Sequence, residues 1–192
     1  MPMFRQASDA QAGDVKLEAI SQPLYDAENV VTGASTTVFF QNPAGRSRLF
    51  TNLETTGSLT WPKRFSVKAF RLVTPPSADA RDVFSILSNG WFTFRVGEKD
   101  YFVTPNFLLT PGVGIETALI TGAAAPIAPV AGLNYGHNGR ADHRNLYTLQ
   151  HSIWIPSVQN FRGQMDMVAA NVLVATASVY VFLEGEYFRE IQ

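Results

Sequence analysis

"VYVFLEGEYFREIQ", residues 179–192, is the stretch on which the fold turns. Val179, Val181, Leu183, Tyr187 and Ile191 fall at every second position and form one apolar face of a strand. The other face carries Tyr180 and Phe182, then Glu184, Glu186, Phe188 and Glu190. Gly185 interrupts the apolar row and marks a bulge or a close backbone approach. Left in water, Phe182 and Phe188 would each forgo roughly 1.5–3 kcal/mol of burial. The second face is therefore expected to be covered in part, by a long loop, by the N-terminal arm or by another subunit. Such a strand belongs inside a sheet, paired on both sides and closing a barrel.

Working outward, "FRGQMDMV" (161–168) sets Phe161, Met165 and Met167 against Arg162, Gln164 and Asp166. "LYTLQHSIWI" (146–155) places Tyr147, Leu149, His151, Ile153 and Ile155 on one face. "WPKRFSVKAFRLV" (61–73) alternates Phe65, Val67, Ala69 and Val73 with Arg64, Ser66 and Lys68. "WFTFRV-GEKD-YFVT" (91–104) is an aromatic hairpin with a four-residue polar turn. "NVVTGASTTVFFQ" (29–41) is β-branched and aromatic and reads as one strand. Between strands, "PPSADARDVFSILSNG" (75–90) reads as a short helix. Ser77 is its expected cap, Asp79 suits its first turn, and Ala80, Val83, Phe84 and Leu87 form its stripe. Asn89-Gly90 supplies its stop. The pattern has about eight strands and no regular strand–helix alternation. It excludes a Rossmann-like fold and favours an antiparallel sandwich or barrel.

Residues 1–22 are mostly polar and read as an arm, flexible or ordered on a neighbour, or as one short amphipathic helix. Residues 23–192 read as a single domain, with one long inter-strand loop from about 105 to 145 that is rich in Gly, Pro and Ala. Within that loop "TALITG" (117–122) is expected to form a short helix or strand.

Only 16% of the 192 residues are charged, below the usual quarter or so, and 46% are hydrophobic. Part of the surface is therefore expected to be buried against other chains. A net charge of −1 argues against general nucleic-acid binding by phosphate neutralisation. The chain has no cysteine, so disulfides and thiolate metal sites are excluded. No secretory signal and no apolar run of membrane-spanning length is present, which leads to an expectation of cytoplasmic assembly.

Catalytic motifs are missing: there is no G-x-S-x-G elbow, no phosphate loop and no H-E-x-x-H. "GVG" (112–114) lacks the rest of a dinucleotide fingerprint. His137 and His143 lie in a Gly-rich stretch, and His151 reads as a satisfied core histidine on a strand, so no metal site is assigned. Glu184 and Glu186, near Glu190, are spaced closely enough for glycosidic acid–base chemistry. They read instead as a charged outer face, or as partners for the basic cluster Lys63, Arg64, Lys68 and Arg71. Trp61, Trp91 and Trp154 could stack on sugars but are assigned to packing. No catalytic, cofactor-binding or metal residue is assigned, and the chain is not read as an enzyme.

The order of elements, with "TNLETTGSL-x-x-P-x-x-F" (51–65) and the closing strand "YVFLEGEYFREIQ" (180–192), resembles a viral single jelly roll. The likeness is to the small major capsid proteins of tail-less icosahedral bacteriophages and archaeal viruses with an internal membrane. It implies an all-β, eight-stranded antiparallel jelly-roll barrel of two packed four-stranded sheets. The first strand would pair with the last, so that "NVVTGASTTVFF" (29–40) lies beside "VYVFLEGEYF" (179–188). The resemblance implies a virion capsid subunit, assembled in the host cytoplasm into trimers or pseudo-hexameric capsomers, without a cofactor. Its implied partner is other copies of itself, with a second capsid protein and an underlying viral membrane as further candidates. Direct genome binding is not implied. A vertex (penton), decoration or fibre-head protein, or a carbohydrate- or metal-binding lectin-like or cupin-like barrel, are the alternatives.

Overall fold

Period-two alternation of large apolar side chains builds more than half of the described residues into strands. The computed structural model describes residues 17–75, 78–110, 116–120, 133–137, 146–168 and 173–191, with the backbone alone for 116–120 and 133–137. In order these are β1 (Leu17–Ser21), β2 (Leu24–Val30), β3 (Thr36–Phe39), β4 (Arg64–Val73), β5 (Ala78–Asp79), α1 (Ala80–Ser88), β6 (Gly90–Val96) and β7 (Lys99–Pro105). A 3-10 turn (Asn106–Leu109) follows, then β8 (Glu116–Ile120), β9 (Leu133–His137), β10 (Tyr147–Ile155), β11 (Phe161–Met167) and β12 (Ala177–Glu190).

Two antiparallel sheets dominate. In the first, the order is β1-β12-β4-β10, and β2 also pairs with β12; in the second it is β3-β11-β6-β7. The pairings are nested. β6 and β7 form the inner hairpin, β4 pairs with β10 around it, β3 with β11, and β2 with β12. Two further pairings, β12 with β4 and β11 with β6, roll this long hairpin into two layers. A small third sheet, β5-β9-β8, stands apart and packs near α1.

β12 is the centre of the first sheet. One edge runs along β4 from Tyr180 to Phe188; the other meets β2 over Ala177–Leu183 and then β1 over Glu186–Glu190. Val179, Val181 and Leu183 are buried, as their spacing requires, whereas Ile191 is exposed. Phe70 anchors the core between the sheets. Its ring stacks on Phe102 at 4.6 Å and 5° and meets Phe94 edge-on at 5.2 Å, geometries that aromatic quadrupoles favour.

Several expectations are corrected. The strands number twelve among the described residues, not eight, nine of them in the two main sheets. Part of the excess comes from Pro23, which has no N–H to donate to β12, so the first strand breaks into β1 and β2. Within the segment read as an arm, Leu17–Ser21 thus forms β1, and residues 1–16 lie outside the described residues. "NVVTGASTTVFF" is two strands, not one. β2 ends at Val30, Gly33 takes positive φ (84°), and β3 pairs with β11 in the other sheet. The hairpin turn is two residues, Gly97 and Glu98, with Gly97 at φ 60°.

α1 is capped by Asp79, whose carboxylate accepts from Arg81 N; Ser77 lies outside the described residues. Phe84 is exposed, and the buried face is Asp82, Val83, Ile86 and Leu87. The polar Asp82 is buried because it accepts from Val174 N (2.7 Å) and Ala175 N (3.2 Å), tying the helix to the approach of β12. "TALITG" is a strand through Ile120, and the remainder of 105–145 beyond the named elements lies outside the described residues.

The facing of β4 also differs. Gly185 pairs with Val67 and Glu184 with Ala69, so Lys68 is an extra residue on β4. The bulge reverses the alternation: Phe65 and Val67 point inward before it, Phe70 and Leu72 after it. On the other edge, Leu149 to Ser152 of β10 bulge out opposite the same residue, which leaves His151 exposed rather than in the core.

Candidate functional site

The outer face of the first sheet brings together the charges singled out in the sequence. β12 and β4 run side by side there, so Lys68 meets Glu186 at 2.5 Å and Arg71 meets Glu184. The Arg71 guanidinium also lies 5.0 Å from the Phe182 ring centroid. Phe182 packs on Tyr25 (5.5 Å) and Phe188 on Trp154 (5.1 Å), so each aromatic on this face is shielded by another within the same chain. Both carboxylates are engaged by cations, which suits a structural face. Lys68–Glu186 is an exposed pair, of the kind that contributes about 0–1 kcal/mol, whereas Arg71–Glu184 is half-buried. Lys63 takes a different partner, Glu54.

Among the described side chains, the remaining candidates do not converge. His151 is exposed on β10, His137 sits on β9, and His143 lies outside the described residues. Among the described residues no three His, Cys, Asp or Glu side chains gather to hold a metal. Among the same residues no helix is long and apolar enough to cross a membrane. Trp154 is half-buried, Trp91 is 38% exposed and Trp61 is 54% exposed. Packing therefore accounts for Trp154 and leaves Trp61 largely free.

Two features were missed by sequence reasoning. The first is a buried charge cluster on β2. Leu24, Asp26, Glu28 and Val30 share the inward face of that strand, so two carboxylates sit at core positions. Asp26 is 1% exposed and accepts from Phe40 N at 2.6 Å and from Arg46 Nη1 at 3.1 Å. The same Nη1 donates to Glu28 at 2.7 Å, and Nη2 donates to the Ala27 carbonyl. Phe40 has φ 68°, a left-handed conformation that Asp26 holds through its N–H. Burial pushes the Asp26 carboxyl up from its usual value, and the Phe40 amide and Arg46 only partly oppose this. Glu28 is also raised, by burial and by the neighbouring Asp26 charge against Arg46. Acidic residues in phase with Leu24 and Val30 were the available signal.

The second is a cleft of about 980 Å³ at one mouth of the barrel. Its walls are the inward row of β12 beyond Leu183 (Tyr187, Arg189, Ile191), the start of β2, and the β3–β4 connection. That connection is clipped to β2. Asn52 Oδ1 accepts from Tyr25 N (2.9 Å), its Nδ2 donates to the Pro23 carbonyl (2.8 Å), and the Tyr25 hydroxyl donates to the Arg48 carbonyl. Burial acts to lower the Lys63 ammonium, but the Glu54 carboxylate and the adjacent Tyr187 hydroxyl overcome it and hold Lys63 above its usual value.

Compared with known proteins, the sequence matches no family model and no curated relative.

Proposed function

We propose that this chain is a capsid subunit of an icosahedral virion, folded as a single jelly roll, that assembles with copies of itself or with a second coat protein. The observation that carries this reading is the nested pairing of β2 with β12, β3 with β11, β4 with β10 and β6 with β7. A hairpin of nested pairs rolled into two facing sheets is the plan of a jelly roll, a fold used by capsid proteins, lectins and cupins. The fold alone does not choose among these. Two properties favour the structural role. Charged residues are sparse at 16%, and apolar side chains stand exposed around α1: Phe84, Phe107, Leu108, Val168 and Val174.

Analytical ultracentrifugation and negative-stain microscopy of concentrated protein test the proposal. The expected result is closed symmetric oligomers or shells, with contacts at or above the standard size of about 1,200–2,000 Å². Five-fold rings would reassign the chain to a vertex. A protein that stays monomeric at high concentration would overturn the capsid role.

A further inference from the structure

We propose that the cleft at the barrel mouth is a carbohydrate site that takes a neutral oligosaccharide. Its volume of about 980 Å³ lies at the upper end of the range for small-ligand pockets, and barrel mouths are a common place for them. The chemistry of its walls selects the ligand. Four cations (Arg46, Arg48, Lys63 and Arg189) and two carboxylates (Glu54 and Glu190) line it, and Gln22 adds an amide. Arg46 is held by Asp26 and Glu28, Lys63 by Glu54 and Arg189 by Glu18, which leaves Arg48 and Glu190, among the described residues, as one uncommitted charge of each sign. A polyanion would find only Arg48 uncommitted, with Glu190 also in the lining to repel it. An alkyl ligand would strand the charged groups without water, which is costly. Sugar hydroxyls both donate and accept, and a vicinal pair matches the two-pronged geometry of a guanidinium or a carboxylate.

The walls are also pre-set. Asn52 is fixed by Tyr25 and Pro23, Lys63 by Glu54, and the backbone at Arg48 by the Tyr25 hydroxyl. Among the described residues, the side chains of Arg48, Gln22 and Glu190 have no partner, so they meet a ligand without first breaking a bond.

The test is a titration of the purified protein with maltotriose, cellotriose and chitotriose, each followed by NMR shifts and isothermal calorimetry. Saturable binding of at least one is expected. Glu190→Ala and Arg48→Ala should each weaken it by about tenfold, the scale of one charged hydrogen bond. Trp91→Ala, on the second sheet, should leave it unchanged. Both altered side chains are exposed, so melting temperatures should stay at the wild-type value and separate loss of the site from loss of the fold. Failure of all three sugars to saturate, equal binding by the variants, or binding of polyglutamate in their place would overturn the site. The proposal does not rest on the capsid role. A monomer that binds sugar would keep this site and remove that role, and shells that bind none would do the reverse.

Discussion

A Cβ added at Gly185 would sit 1.9 Å from the Ser66 carbonyl oxygen, which belongs to the backbone of the neighbouring strand and has nowhere to go. One added at Gly163 would meet the Phe92 ring at 2.9 Å, a side chain with some freedom to tilt. Gly185→Ala should therefore cost about 2 kcal/mol or more in urea unfolding, and Gly163→Ala about 1 kcal/mol. Equal costs would remove the special status given to the Gly185 contact. The β2 carboxylates make a prediction of a different kind. Their folded pKa values are raised, so the native protein keeps protons that the unfolded chain releases above a pKa near 4. The stability they contribute is fully present below the unfolded pKa and is lost as pH rises through the folded values. Glu28→Gln should accordingly gain on the wild type as pH climbs from 3.5 to 7, read as the difference in urea midpoints; a difference that does not vary with pH would refute the assignment.

At the scale of elements, β12 holds the first sheet together, because β4 on one side and β2 with β1 on the other reach each other only through it. Deleting Tyr187–Gln192 removes most of the pairing with β1 and the part of β4 that includes Phe65. It should abolish soluble folded protein; a soluble truncation with native near-ultraviolet circular dichroism would show that β12 is not needed over that length. β11 was fully legible in the sequence, since both its neighbours run in register and its burial alternates without a break. β4 and β10 were not. The irregularity at Lys68 involves three strands, and alternation within one strand carries no sign of it, so Ala69, Val73 and His151 were given the wrong face. The Asp26–Arg46–Glu28 cluster was hidden for a similar reason: it joins β2 to a loop about twenty residues away. Open edges are kept short or broken. β7 has an extra residue at Tyr101, charges at Lys99 and Asp100, and Pro105 at its end, the devices that discourage a further strand from adding.

Across the whole molecule, the nested order has a cost in time. The hairpin of β6 and β7 is local and can form as soon as it leaves the ribosome, but each pair outside it waits for a later partner. β12, which follows every other strand, supplies the middle of a sheet whose flanks were synthesised first. Until it emerges, β2 and β4 each present an unpaired edge to whatever is nearby, and contacts this distant in sequence close slowly. The vulnerable period of this protein is thus the interval between the making of β4 and the arrival of β12, when neighbouring nascent chains on the same message carry the same unfilled gap.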